Sequence, residues 1–175
     1  VGVKLLGQVA VRLFQLRFRG GFLHAKDFVV VLFGHGRGGF AEPINVRTGF
    51  NVGFMVVADL NHDGRDDLAY LRQLSGGTDN TVYVVLSNSR GGFTAPVGYQ
   101  AVAGVSKVLS KDMNGDGKLD LIVVSDLGAR VSLLLGTGDG SFNQAVSYRI
   151  IESPSVVTAG DFDENGRTDI AFAQS

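Results

Sequence analysis

Nine aspartates, over half of the chain's 17 acidic residues, recur at shared positions in three short stretches of one spacing. The first holds Asp59, Asn61, Asp63 and Asp67, and the second holds Asp112, Asn114, Asp116 and Asp120. The third holds Asp161, Asp163, Asn165 and Asp169. Counted from the first aspartate, oxygen-bearing side chains stand at positions 1, 3, 5 and 9, and a glycine (Gly64, Gly117 or Gly166) stands at position 6. Alternate residues of a curled loop turn their side chains inward, and the glycine permits the sharp bend after position 5. Such a donor set suits a hard cation wanting six to eight oxygens, at about 2.3–2.6 Å. The carbonyl of position 7 (Arg65, Lys118 or Arg167) is a further candidate ligand, and the position 9 aspartate is placed to close the ring. At these positions each loop carries three carboxylates, more than one divalent ion neutralises, and such groups repel one another when no cation lies among them. The expectation is about three calcium sites. Magnesium fits less well, because it keeps its waters and seldom uses an all-protein cage. One such loop alone reads equally as an Asx-rich turn. Three in register favour metal.

The loops must be held by something that repeats. Their first aspartates are 53 and 49 residues apart. That period is the length of a four-stranded propeller blade. In the unit around the second loop, strands are expected near 104–111, 119–125, 130–136 and 142–149. In the unit before it they are expected near 53–59, 67–73, 81–87 and 93–100. Inner strands read as near-continuous apolar runs, as in LDLIVVS, because both of their faces are covered. No stretch has helical periodicity. The fold expected is all-β, a partial propeller of about three and a half blades. Its units are 1–50 (a degenerate first blade), 51–103 and 104–153 (each with a calcium loop), and 154–175 (half a blade with a loop). The last unit ends at Ser175 after two strands, so a fragment or truncated product is expected.

The first unit is irregular. Its DFVVVLFG (27–34) matches TVYVVLS and RVSLLLG, and its GGFAEP matches GGFTAP. Counting back by the second unit's spacing places its acidic loop at Ala10 to Phe18, which has no carboxylate. Degeneration of a metal loop and a local reading-frame error both account for this. A third reading makes Arg12, Arg17 and Arg19 with Phe14, Phe18 and Phe22 a basic aromatic patch.

Composition narrows the classes. Apolar residues make up 45% and charged residues 19%, which supports a packed core. The 25 glycines against 3 prolines suit short strands joined by tight turns. A net charge of −1 gives no field favouring nucleic acid or an anionic membrane. Absence of cysteine removes disulfides, zinc–thiolate sites and cysteine nucleophiles. The longest purely apolar run, Phe28 to Phe33, is too short to insert in a bilayer as a helix. No leader is visible, and the chain starts at Val1 rather than Met.

Other chemistry is weaker. An EF-hand needs a glutamate at position 12, where Tyr70, Val123 and Phe172 stand. GHGRGG (34–39) lacks the Lys-Ser/Thr of a phosphate-binding loop and precedes a strand, so it reads as a turn, as does GTGDGSF (136–142). His24, His35 and His62 fit no nucleophile or zinc pattern and read as exposed turn residues. Paired carboxylates suggest a glycosidase, but an active site is single whereas these pairs recur. Phe40, Phe93 and Phe142 recur at equivalent positions and read as packing residues, with a sugar platform as the alternative. No catalytic constellation is visible, and the chain is not expected to be an enzyme.

The loops and their surroundings resemble the FG-GAP/VCBS repeats of integrin-α-type propellers. The literal Phe-Gly pair is Phe33-Gly34, with Leu86-Ser87 and Leu135-Gly136 at related positions, and the second element reads GGFAEP, GGFTAP and GSFNQA. The resemblance covers roughly residues 27–175. It implies a propeller, usually of seven blades, with calcium in the first inter-strand loop of some blades. It also implies an extracellular or cell-surface module that binds protein or carbohydrate in adhesion. Ligand-recognition residues do not carry over, because they lie on variable loops. Alternatives are a non-catalytic accessory domain of a secreted hydrolase, or a fragment without independent function. Self-association or further blades would be needed to close a ring and cover open strand edges.

Overall fold

A computed structural model describes residues 5–6, 9–12, 27–73, 79–150 and 154–173, with side chains from residue 27 onward. Among these residues there is no helix. Fourteen strands form four antiparallel sheets in sequence order. The first sheet contains β1 (Leu5–Leu6), β2 (Val9–Arg12), β3 (Phe28–Phe33) and β4 (Ile44–Arg47). The second contains β5 (Val52–Ala58), β6 (Asp67–Arg72), β7 (Thr81–Val85) and β8 (Val97–Gln100). The third contains β9 (Val105–Lys111), β10 (Asp120–Ser125), β11 (Arg130–Leu134) and β12 (Val146–Arg149). β13 (Val156–Gly160) and β14 (Asp169–Ala173) form the last. Each sheet is a meander, its strands paired in chain order.

Burial explains the sequence pattern. β10 is buried along its whole length and β6 along all but its last residue. β12 is exposed throughout, and β8 nearly so. Second strands therefore need apolar side chains on both faces, whereas fourth strands run along the outside. The faces alternate cleanly. Leu68, Tyr70 and Val85 of the second sheet share a core with Val29, Val31 and Val46 of the first. Ala69, Leu71, Val82 and Val84 share another with Leu121, Val123, Leu134 and Phe142 of the third. Ile122, Val124 and Val131 meet Val157, Ile170 and Phe172 of the last sheet in the same way. The sheets thus stack face to face in a row, each gluing its successor.

The fourth strands are shorter than expected. β8 and β12 begin at Val97 and Val146, not at Phe93 and Phe142. Phe93 and Phe142 each make only an isolated bridge, to Ser87 and Gly136. Thr94 then donates to the Leu86 carbonyl and Asn143 to the Leu135 carbonyl, closing the turn before the strand starts. In the first sheet, residues 10–12 of the expected loop lie in β2, paired with Val30 to Leu32. The rest of that stretch lies outside the described residues, as do Arg17, Arg19, Phe14, Phe18, Phe22 and His24. Arg12 is described only as part of β2.

Candidate metal centres

The three acidic stretches occupy one place in the architecture. Each connects the first strand of its sheet to the second, between β5 and β6, β9 and β10, or β13 and β14. Their backbone follows one path. Position 6 has positive φ in all three, at 80° for Gly64, 81° for Gly117 and 80° for Gly166. Position 4 does too, at 58° for His62, 76° for Gly115 and 60° for Glu164. A non-glycine residue in that region is uncommon, so the loop shape is imposed by its surroundings. The sequence carried this signal only in Gly115.

The side chains fold onto the loop's own amides. Asp59 accepts from the Asp63 N–H at 3.1 Å and the Gly64 N–H at 2.9 Å. Asp112 accepts from Gly115 and Gly117, both at 2.8 Å. Asp161 accepts from Asn165 at 3.1 Å and Gly166 at 2.8 Å. Position 3 caps position 5: Asn61, Asn114 and Asp163 accept from Asp63, Asp116 and Asn165. Position 5 caps position 7: Asp63, Asp116 and Asn165 accept from Arg65, Lys118 and Arg167. A chain of Asx turns thus runs through positions 1, 3 and 5 of each loop. In the third loop Asp161, Asp163 and Asp169 each bring a carboxylate oxygen within 4.8 Å of the others. Three hard oxygens at that separation fit a single calcium-sized ion.

Position 9 has a second duty. Asp67 is fully buried; its Oδ2 accepts from the Leu60 N–H at 3.0 Å and its Oδ1 from the Ser87 N–H at 2.7 Å. Asp120, also fully buried, accepts from Met113 at 2.9 Å and Gly136 at 2.8 Å. Asp169 accepts from Phe162 at 3.0 Å. In the complete sheets this aspartate therefore ties its loop to the turn after the third strand. Burial pushes the Asp67 and Asp120 carboxyls above the ordinary aspartate value, against the pull of those backbone bonds, and neighbouring loop carboxylates push the same way. At exposed Asp116 and Asp161 the shift is downward, caused first by the amides of Lys118 and Gly166.

The basic residue at position 7 separates the loops. Arg65 places its guanidinium on the Asp63 carboxylate, and the Lys118 ammonium lies 3.7 Å from Asp116. Position 5 of the third loop is the neutral Asn165, which gives Arg167 no carboxylate there. The loops also touch one another. His62, an exposed residue at position 4 of the first loop, donates from Nε2 to the Gly117 carbonyl at 2.8 Å. Thr168 of the third loop donates to the Asp112 carbonyl at 2.8 Å. Nothing in the sequence marked either contact, because both depend on neighbouring sheets.

The other sequence candidates resolve as turns or packing. His35 donates its N–H to the Gly39 carbonyl, and Thr137 to that of Ser141. Phe142 is buried against Tyr99, ring centroids 5.3 Å apart at 79°. Phe93 packs on the core between the first two sheets, while Phe40 is exposed.

Residues 112–172, from the second loop through the third, match a family model described as an FG-GAP-like repeat. The match begins at Asp112, position 1 of the second loop, and runs to Phe172 in β14. No curated protein matches the sequence. Among solved structures, a lectin of Agrocybe aegerita is similar over 83% of this chain, with a TM-score of 0.56 and 23% identity. That lectin specifically recognises non-reducing terminal N-acetylglucosamine. The chain spans about 40% of that structure's length. The likeness is one of fold, a β-propeller-like arrangement of repeated sheets.

Proposed function

We propose that the chain is a calcium-stabilised, non-catalytic binding module of β-propeller blades, working outside the cell on glycan or protein ligands. One observation carries the calcium part: the three loops follow one backbone path, and in the third, inside the FG-GAP-like match, Asp161, Asp163 and Asp169 bring carboxylate oxygens within 4.8 Å of one another. Calcium there would supply the positive charge that Asp59, Asp63 and Asp67, and their counterparts, lack among themselves. The carbonyls of Arg65, Lys118 and Arg167 stand beside those oxygens in sequence as the remaining protein donors. About three and a half blades are read from three complete sheets and one of two strands.

A glycan is favoured as ligand by a groove between the first two sheets. Its volume is about 580 Å³, and Phe33, Phe93, Asn88, Ser89, Arg65 and Asp66 are among its lining residues. Aromatic faces beside amide, hydroxyl and charged groups suit a pyranose, which has apolar faces and a polar rim. The fold neighbour's recognition of terminal N-acetylglucosamine supports the same class of ligand.

Titration calorimetry with calcium, beside thermal unfolding in calcium and in chelator, tests the metal part. About three sites and a higher midpoint in calcium are expected. At free calcium 100 times Kd, one site adds about 2.7 kcal/mol. No binding heat and an unchanged midpoint would refute it. Titration of N-acetylglucosamine into the calcium-loaded chain tests the glycan part separately.

A further inference from the structure

The first and second junctions between sheets share one plan and end differently. In each, the residue before the third-strand turn of one sheet faces the corresponding turn of the next. At the second junction that space is filled. Leu86 packs on the shared core and covers Gly140, where an added Cβ would lie 2.6 Å from the Leu86 Cδ2. The Lys118 stem covers Gly138 of the same turn, its Cδ 3.1 Å from such a Cβ. Leu119, at position 8 of the second loop, packs on the same core. At the first junction the counterparts leave an open groove. Phe33, in the place of Leu86, is 37% exposed, and Gly91, in the place of Gly140, would have nothing within 4 Å of an added Cβ. Ser89, in the place of Gly138, is exposed on the groove. Position 8 of the first loop is the exposed Asp66, which lines the groove and has no hydrogen bond or ion pair among the described residues. Arg65 lines it too, but its guanidinium is paired with Asp63, which leaves Asp66 as the unpaired charge among the described lining residues.

We infer that Asp66 selects the ligand of this groove: its carboxylate accepts from two adjacent hydroxyls of a neutral pyranose and turns away acidic sugars. The inference rests on the glycan reading above and narrows it to one class of sugar at one junction. An ionised carboxylate accepts at both oxygens and donates at neither, so neighbouring sugar hydroxyls match it. A uronic acid would bring a second carboxylate against it, and like charges at short range are disfavoured. At the second junction the packed Leu86 and Leu119 leave neither the space nor the carboxylate.

Titration calorimetry on the full chain in calcium, with N-acetylglucosamine and glucuronic acid as probes, reads this out. The wild type binds N-acetylglucosamine, and binds glucuronic acid at least about tenfold more weakly. Asp66→Asn weakens N-acetylglucosamine about tenfold, the worth of a hydrogen bond to a charged group, and strengthens glucuronic acid. A loosened groove would weaken both sugars, so the opposite movement of the two marks selection by charge. Asp66 is exposed and unbonded, so the unfolding midpoint of the variant stays at the wild-type value. Ser89→Tyr fills the groove and removes binding of N-acetylglucosamine. Asp139→Asn, in the corresponding turn of the second junction, leaves both affinities unchanged. If Ser89→Tyr still binds N-acetylglucosamine as the wild type does, the site lies elsewhere and the inference is overturned. If Ser89→Tyr blocks binding but Asp66→Asn moves both sugars alike, or the wild type binds the two equally, the groove stands and the role of Asp66 is overturned. A wild type that binds neither sugar refutes the glycan reading itself, and the inference with it.

Discussion

Asp120 separates a metal ligand from a structural clamp, because it is placed to be both. Its carboxylate takes the N–H groups of Met113 and Gly136, joining the second loop to the turn after β11. Asp120→Ala leaves both donors without a partner. An unsatisfied buried donor costs about 1–3 kcal/mol. The Met113 amide is only partly buried, and removing the buried charge returns some of the cost. The expected net loss is about 2–4 kcal/mol. In a chain of this size that lowers the unfolding midpoint by roughly 4–16 °C. The loss appears in excess chelator as well as in calcium, since neither bond needs a metal. Asp116→Ala is the contrast. Its carboxylate is exposed and accepts one backbone N–H, from Lys118 at 2.9 Å, so in chelator the change is small beside that of Asp120→Ala. In calcium the loss grows by whatever the second site contributes. Thermal unfolding of both variants in both buffers makes the comparison. If Asp120→Ala matches wild type in chelator and loses stability only in calcium, the clamp reading is wrong.

Asp139 gives a pH prediction. Bonds from the Ser141 and Thr137 side chains and the Ser141 amide hold its carboxyl down to about 2. A lowered folded value means stability present above about pH 4 and lost as pH falls toward 2. Asp139→Asn should remove that share of the acid limb, read as a flatter fall in midpoint between pH 4 and 2. Gly136→Ala should cost far more than Gly117→Ala. A Cβ on Gly136 would lie 2.2 Å from the Leu119 carbonyl oxygen, whereas one on Gly117 meets nothing within 4 Å and bears only the strain of φ 81°. Unfolding midpoints rank the two, and a smaller loss at Gly136 would contradict its close approach to Leu119 within the third sheet. Arg65→Ala frees Asp63 from its guanidinium. If calcium occupies the first loop, its affinity there should rise, by up to about fivefold for an exposed pair. Terbium luminescence titration reads this, and an unchanged or weaker curve would show that the ion pair does not compete.

The repeat and the strands were legible because their causes are local. An apolar run such as LDLIVVS needs only its own side chains to announce a strand covered on both faces, and β10 is buried throughout. The Asx spacing likewise announces a curled loop. Fourth strands were read too long because Phe93 and Phe142 look like strand residues. They are instead anchors between sheets, reached through a turn. The same reason hid Leu60 and Met113. Position 2 of an acidic loop carries no pattern until a neighbouring sheet is set beside it.

What the sequence shows as three separate acidic loops, the structure makes into joints. His62 reaches from the first loop to the carbonyl of Gly117, one residue before the position 7 carbonyl of the second. Thr168 reaches from the third loop to the carbonyl of Asp112, whose side chain opens the second. Position 2 of the first two loops plugs toward the next sheet, and position 9 of those loops clamps each to its own sheet. A cation in such a loop would therefore stiffen more than the β-hairpin that carries it. It would hold the plug, the clamp and the contact to the neighbouring loop in one arrangement. That is why a loop so exposed can repeat its geometry three times, and why stability and stacking of the sheets should respond together when the acidic positions are changed.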